Sequence, residues 1–248
     1  MATETETETA DRIDADTPLG VIVTHVPQAA RLLEAYGLDY CCGGAISLGR
    51  ACADAGVAVD QVLAGLGRLD PEPAPDWAAL DIVGLVDHLV ATHHAYLGRE
   101  LPRLEALMDR VLDVHGDHHP ELHRIRVITR ALRADLEPHL QKEERVLFPM
   151  VRELAAAPAA GAVPEFHCGS LTNPIGVMRH EHDRAGALLA ELRTATLGFA
   201  PPPDACASYR QLFAGLADLE ADTHLHVHKE NNVLFPRVAE LERALRGG

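Results

Sequence analysis

The chain has 248 residues, of which 47% are hydrophobic and 4% aromatic, and its formal net charge is −15. This length allows one larger and one smaller domain, and the abundance of Ala and Leu favours an all-α fold. The acidic charge argues against binding to nucleic acid or to an anionic membrane surface, because both need a basic protein surface.

The first segment, residues 1–16, alternates Thr and Glu before it turns to Asp and Arg, which is typical of a disordered acidic tail. It has neither the basic nor the apolar region of a signal peptide, and no apolar run in the chain reaches the length of a bilayer span. We therefore predict a cytoplasmic protein. The five cysteines, an odd number, do not indicate a disulfide framework.

Residues 17–69 are predicted to form a small helical domain, with Thr17-Pro18 as cap and first helical position. Short helices are expected around residues 19–26 and 28–36, after 47, and at 60–65. Cys41 and Cys42 are adjacent, so they cannot form a Cys-x-x-Cys redox pair. An exposed thiol pair would suit contact with a soft metal, reversible oxidation or docking to a partner. Two small buried residues in a tight turn are the alternative.

The segment 70–76 contains three prolines and is predicted to be a linker. Residues 77–248 then contain four long amphipathic segments joined by turns rich in Gly, Pro or His. We predict an antiparallel four-helix bundle, with its helices at about 80–112, 121–154, 173–196 and 204–245.

Two segments of this bundle repeat. His139 precedes Glu143 by four residues and His226 precedes Glu230 by four residues, and each Glu is followed four residues later by Leu-Phe-Pro. The two copies are 87 residues apart. Four residues along an α-helix return to the same face, so each His lies about one turn from its Glu. This spacing is typical of two ligands that converge on one metal.

The repeat extends to the first helix of each half, because His94 and His182 are 88 residues apart. The bundle is therefore predicted to consist of two copies of one helical hairpin. Fifteen histidines are an unusually large number for this length, and imidazole is the commonest metal ligand in proteins. Six side chains are predicted to bind metal: His94, His139, Glu143, His182, His226 and Glu230.

Two non-haem irons need this set of ligands, because imidazoles can hold each metal while the carboxylates of Glu143 and Glu230 bridge the two cations. Six ligands do not saturate two irons, which leaves positions for an oxo or hydroxo bridge and for a small diatomic molecule. Structural zinc fits less well, since it prefers a closed tetrahedral site. Without metal, the buried carboxylates and imidazoles would be left uncompensated.

Other residues are expected to support these ligands. His88 lies about a turn and a half before His94, while Asp135 and Glu181 are placed to orient an imidazole or to line a path for protons or ligands. Pro149 and Pro236 are predicted to kink or end their helices. Four other histidines beside the ligands are predicted to be mostly exposed: His93, His123, His224 and His228.

The segment Asp39-Tyr-Cys-Cys-Gly-Gly44, followed by His139-x-x-x-Glu143 and by Glu230-Asn-Asn-Val-Leu-Phe-Pro, resembles the RIC proteins, named for repair of iron centres. The resemblance implies a vicinal-cysteine module in front of a hemerythrin-like four-helix bundle with a di-iron centre. The same six ligands are carried over. The segment Phe166–Gly169 departs from the family pattern, and we expect a loop in which Cys168 is a small buried residue.

The resemblance further implies repair of iron–sulfur clusters damaged by oxidative or nitrosative stress, with iron supplied by the bundle and Cys41-Cys42 facing the recipient. Damaged iron–sulfur proteins or cluster-assembly proteins would be partners, and nitric oxide or oxygen would be small ligands. Two alternatives are a nitric oxide reductase that forms nitrous oxide at the irons and an oxygen or redox sensor. A homodimer is left open.

Overall fold

The computed structural model describes residues 13–69, 76–160 and 164–247. Residues 1–12 of the predicted tail and 70–75 of the predicted linker lie outside these ranges. Within them the regular structure is helical, and strand-like pairing is limited to two isolated bridges. The predicted all-α fold is confirmed. None of the helices in the described ranges is both long and apolar enough to cross a membrane.

The N-terminal module contains four short helices that pack around one apolar cluster. Pro18 has an extended backbone and is the N-cap of the first helix, whereas the sequence predicted it as the first helical residue. Gly56 ends the third helix with a positive φ of 68°, a conformation that glycine adopts without strain. The helices are α1 (Leu19–His25), α2 (Ala29–Ala35), α3 (Leu48–Ala55) and α4 (Val59–Leu66).

The bundle has the four long helices that the sequence predicts, and three of them are interrupted by a π-helical turn. The first comprises α5 (Ile82–Leu89), the turn Val90–His94 and α6 (Ala95–His115). The second comprises α7 (Glu121–Lys142), the turn Glu143–Leu147 and α8 (Phe148–Ala160). The third is α9 (Thr172–Ala195). The fourth comprises α10 (Ala207–Lys229), the turn Glu230–Leu234 and α11 (Phe235–Leu245).

The π-helical turns explain why Pro149 and Pro236 do not end their helices. A proline has no N–H to donate and its ring collides with the carbonyl of the preceding turn in a regular α-helix. In each case a π-helical turn ends directly before the Phe-Pro dipeptide. The wider turn gives the proline ring room beside the preceding carbonyl, so the helix continues. Pro138 also lies inside a helix, α7, but no π-helical turn precedes it there.

Two apolar clusters fill the bundle, one on each side of a polar layer. One cluster includes Leu97, Leu136, Ala185 and Leu219, and the other includes Leu89, Leu147, Met178 and Val233. On each long helix the predicted ligands lie at the boundary between the two clusters, although Leu140 of the first cluster follows His139. The folding of the bundle therefore brings polar side chains from all four helices to one level.

The N-terminal module docks on α10 and on the turn that follows it. Val227 of α10 belongs to the apolar cluster of the module. Asn232 donates hydrogen bonds from Nδ2 to the carbonyls of Tyr40 and Cys41, at 3.2 and 3.0 Å. The close approach depends on Gly44, because a Cβ at this position would overlap the Asn232 side chain. The cysteine pair is thus held against the bundle.

Candidate metal centre

The structure brings all six predicted ligands together, and each is no more than 4% exposed. Their nitrogen and oxygen atoms form two groups, and within each group they lie within 4.8 Å of one another. Glu143 and Glu230 belong to both groups. One group adds His94 and His226, and the other adds His139 and His182. The two glutamates therefore lie where they could be shared by two cations.

Each group takes one imidazole from each copy of the hairpin. His94 belongs to the first copy and His226 to the second, while His139 and His182 form the reciprocal pair. The duplication therefore does not provide one metal site per hairpin. A cation in either group would connect the two halves of the bundle, and neither half contains a complete set of ligands alone.

The donor atoms fit a cation better than they fit one another. Both carboxylate oxygens of Glu143 and of Glu230 are buried without a hydrogen-bond partner in the described chain, as is Nε2 of His94 and of His226. His94 Nε2 lies 3.5 Å from the nearest Glu143 oxygen, and His226 Nε2 lies 3.2 Å from a Glu230 oxygen. Unpaired buried carboxylates are costly, and divalent cations held by imidazole and carboxylate would remove that cost.

The electrostatics of the site lead to the same conclusion. Burial, together with the negative charge of Glu230, raises the pKa of Glu143 well above its usual range. Although burial opposes ionisation of Glu230, the neighbouring His226 and His182 hold its pKa well below the usual range. Burial also lowers the pKa of His139 and of His226 to about 4. Neutral imidazoles are the form that binds metal.

Three of the imidazoles are oriented by hydrogen bonds from Nδ1, which leaves Nε2 directed toward the centre. Glu181 Oε2 accepts from His139 at 2.9 Å. The predictions missed two further partners, since Glu144 accepts from His94 at 2.9 Å and Asn231 from His182 at 3.0 Å. Each directly follows one of the shared glutamates. The 87-residue repeat contained this signal, because it aligns Glu144 with Asn231.

His93 was predicted to be exposed, and that prediction is wrong. His93 is 3% exposed and its ring stacks on His226 with centroids 5.5 Å apart. Its Nδ1 lies 2.9 Å from Asp222, and its Nε2 lies 2.7 Å from the amine of Lys229. Burial and the charge of Lys229 lower the pKa of His93 to about 3. The side chain faces α10 rather than solvent.

His88 completes this polar group beside the centre. Its Nε2 lies 2.8 Å from Lys229 Nζ, so the buried amine is held between two neutral imidazoles and also lies over the Trp77 ring. Burial lowers the pKa of Lys229 to about 8. His88 thus reaches the ligands through Lys229 and His93, and its supporting role stays a prediction.

Asp135 is placed differently from Glu181. Its carboxylate lies 2.7 Å from Arg184 Nε, so an arginine and not an imidazole faces it. Both acidic residues line a cavity of about 160 Å³ that reaches His139 and His182. This position agrees with the expected path for protons or ligands, which stays a prediction.

His228 was also expected to be exposed and is fully buried. The docked N-terminal module covers it, with Thr24 Oγ1 at 3.2 Å from Nε2 and the Tyr40 ring packed edge-on. His224 is half-buried and lies 3.2 Å from Glu34 of the same module. His123 is exposed, as predicted. The prediction for His228 failed because the N-terminal module packs on this part of α10.

The sequence left open an exposed thiol pair or two buried cysteines, and the structure shows one thiol of each kind. Cys41 is 5% exposed, whereas Cys42 is half-buried and lines two cavities. Their sulfurs are 4.0 Å apart and not bonded to each other. The thiol of Cys42, burial and the charge of Asp39 together raise the pKa of Cys41 well above its usual range. Elsewhere, Cys168 packs partly buried in the Phe166–Gly169 turn.

The fold and the paired His/Glu groups define a hemerythrin-like metal-binding bundle with a helical module in front of it. Residues 85–238 match the model of the hemerythrin HHE cation binding domain, and residues 15–70 match that of a domain of unknown function, DUF542. The chain belongs to the hemerythrin HHE family, in the form that carries this additional N-terminal domain.

The chain is similar in sequence to curated relatives over nearly their whole length. The chain is 35% identical over 223 residues to the iron-sulfur cluster repair protein YtfE of Salmonella paratyphi B, covering 90% of this chain and 96% of the relative. The proteins of the same name from Salmonella newport and Salmonella heidelberg match equally. The resemblance predicted from the sequence is confirmed. Family membership implies non-haem iron binding, and the buried His/Glu groups could hold the metal.

Proposed function

We propose that the chain is a di-iron protein that repairs iron–sulfur clusters damaged by oxidative or nitrosative stress, by supplying iron to them. The observation that carries this proposal is the sharing of Glu143 and Glu230 by two groups of ligands. His94 and His226 would hold one iron, and His139 and His182 the other. The open positions would take an oxo or hydroxo bridge.

The residues around the ligands prepare the centre for iron. Glu144, Glu181 and Asn231 fix three imidazole rings from Nδ1, which sets the tautomer needed for binding through Nε2. The two apolar clusters lie on either side of the polar layer. When bound, the iron pair supplies redox chemistry and a store of iron within reach of the docked cysteine module.

The role in repair rests on the relatives, which are named for that function over almost the same length of chain. Damaged iron–sulfur proteins and cluster-assembly proteins are the proposed partners. The position of Cys42 beside two cavities supports contact with such a recipient.

The direct test is repair of a nitric oxide-damaged iron–sulfur enzyme by iron-loaded protein. We expect recovery of the enzyme's activity together with loss of iron from the donor. Glu143→Leu should bind fewer than two irons per chain and fail to repair, whereas Glu153→Leu, which changes an exposed glutamate of α8, should behave as the native protein. Failure of a fully iron-loaded sample to restore the enzyme would refute the proposed role.

Nitric oxide reduction and oxygen or redox sensing stay predictions, as do the homodimer and the cytoplasmic location. Nitrous oxide released by the reduced protein under anaerobic nitric oxide would favour the first of these alternatives. Reversible oxygen binding without turnover would favour the second.

A further inference from the structure

A second group of metal-binding atoms lies outside the bundle, in the turn between α2 and α3. Asp39 Oδ1 lies 3.1 Å from Cys41 Sγ, and the sulfurs of Cys41 and Cys42 are 4.0 Å apart. One carboxylate oxygen and both sulfurs lie within 4.8 Å of one another. We propose that Asp39, Cys41 and Cys42 form a second metal site that takes a borderline divalent cation. The choice of Fe²⁺ as that cation rests on the proposed function.

The separation of the sulfurs suits a shared cation. At a metal–sulfur bond of about 2.3 Å, two sulfurs 4.0 Å apart subtend an angle of about 120° at the metal. That angle is compatible with three or four ligands. The thiol proton of Cys41 now points at Asp39 Oδ1, and a cation would take its place between sulfur and oxygen. Binding releases the two thiol protons to solvent as the thiolates form.

The turn holds these atoms together without a metal. Asp39 accepts backbone N–H bonds from Cys41 and Cys42 at 3.0 and 2.9 Å, and from Gly43 at 3.1 Å. These bonds fix the carboxylate beside both thiols. Asp39 could have the structural role of capping the turn and no other. That role needs only oxygen atoms that accept hydrogen bonds. The negative charge and the two thiols beside it are what a cation requires in addition.

A cation can reach this site from outside the bundle. Cys42 lies at the border of a cavity of about 300 Å³ and of another of about 680 Å³. Three carboxylates besides Asp39 line the smaller cavity, those of Glu34, Asp183 and Glu220. Arg193 pairs with Glu220, so the remaining acidic groups favour entry of positive charge. Three protein ligands leave an open position, which suits an exchangeable site rather than a closed structural one.

The site also lies close to the proposed di-iron centre. The Cys41 carbonyl accepts from Asn231 Nδ2 at 3.4 Å, and Asn231 Oδ1 accepts from His182 at 3.0 Å. One side chain therefore separates the backbone of the thiol turn from a ligand of the bundle. Iron that leaves the bundle on this side would meet Asp39, Cys41 and Cys42 before it reaches a recipient protein.

Cobalt titration tests the site directly. Co²⁺ is added to anaerobically reduced, iron-loaded full-length protein, and thiolate-to-cobalt charge transfer is followed in the near ultraviolet. Nitrogen and oxygen ligands of the bundle cannot give this band. We expect one Co²⁺ per chain, loss of the band in Cys42→Ser, and weakening of the affinity by about tenfold or more in Asp39→Asn, in protein that still unfolds cooperatively. Asparagine retains one oxygen, which can still accept from the N–H groups of Cys41 and Cys42, and loses only the bond from Gly43 to Oδ2.

Cys206→Ser is the matched control, because Cys206 Sγ lies 3.1 Å from His115 Nε2 and is another thiol beside a possible ligand. The band should survive this substitution. No sulfur band in the native protein, a band that depends on Cys206, or unchanged affinity in Asp39→Asn would overturn the site. Displacement of Co²⁺ by Fe²⁺ supports iron as the cargo, and failure to displace it removes that assignment. If the iron-loaded native protein shows the cobalt band but does not repair a damaged cluster, the metal site stands and only the proposed function is contradicted.

Discussion

His93 occupies in the first hairpin the position that Glu181 occupies in the second, 88 residues later. Each contacts the lysine that directly precedes a shared glutamate, since Lys142 pairs with Glu181 and Lys229 approaches His93. The two hairpins therefore share the lysine, but its partner is a carboxylate at Glu181 and an imidazole at His93. Glu181 hydrogen-bonds His139, whereas His93 stacks on His226. Two equivalent ligands are therefore held in different ways.

This difference predicts that Glu181→Gln weakens iron binding at one half of the centre. The amide can still accept from His139 but has no charge to raise the basicity of its ring. We expect about 10- to 100-fold weaker retention of one iron, measured as the rate of iron transfer to a chelator. Glu153→Gln is the control, because that exposed side chain lies on α8, in the same long helix as His139. Equal loss of both irons, or no change, would contradict the assigned asymmetry.

The sequence predicted the six proposed ligands because the two copies of the hairpin repeat the same residues at the same spacing. It did not predict Glu144 and Asn231 as orienting residues, because hydrogen bonding from Nδ1 depends on which side chains face each other across helices. The repeat aligned Glu144 with Asn231, so the sequence marked them as equivalent. Which imidazole each residue contacts could be known only from the packing of the helices.

The burial of His228 could not be predicted for a different reason. A helix pattern shows which face is polar, but not whether another domain covers that face. Here the N-terminal module packs on α10 through contacts such as Thr24 with His228, which join residues about 200 positions apart in the chain. The π-helical turns of the three interrupted helices were also not predicted from the sequence.

The iron-free protein is expected to lose stability as the pH falls from about 6.5 to about 4. Four buried histidines have folded-state pKa values of about 3 to 4, so in this range the unfolded chain binds their protons and the folded chain does not. Glu143 and Asp222 act in the opposite direction, because burial raises their pKa values in the folded state. The four histidines are His93, His139, His226 and His228.

The balance of these groups is about two protons in favour of the unfolded state near pH 5, which corresponds to a slope of roughly 3 kcal/mol per pH unit. Urea unfolding of iron-free protein at pH 7, 6 and 5 measures it. His228→Gln should reduce the slope by about one proton, and His118→Gln, at an exposed position, should leave it unchanged. A free energy of unfolding that is flat or rises toward pH 5 would contradict the burial of these imidazoles.

Docking of the cysteine module predicts a specific coupling between Gly44 and Asn232. In Gly44→Ala the new Cβ would overlap the Asn232 side chain and displace its amide from the carbonyls of Tyr40 and Cys41. Loss of buried hydrogen bonds of this kind costs about 1–3 kcal/mol in the free energy of unfolding. We also expect faster reaction of the Cys42 thiol with a thiol reagent, because the turn that holds it is loosened.

A double-mutant cycle separates this effect from a general cost of adding a methyl group. In Asn232→Ala the two hydrogen bonds are already lost and the short side chain leaves room for the Cβ, so Gly44→Ala should then cost clearly less. Gly98→Ala is the matched control, since a Cβ at this position inside α6 would meet nothing within 4 Å and alanine is the better helix former. It should stabilise the protein by about 0.5–1 kcal/mol. Strict additivity of Gly44→Ala and Asn232→Ala would show that this contact does not hold the module on the bundle.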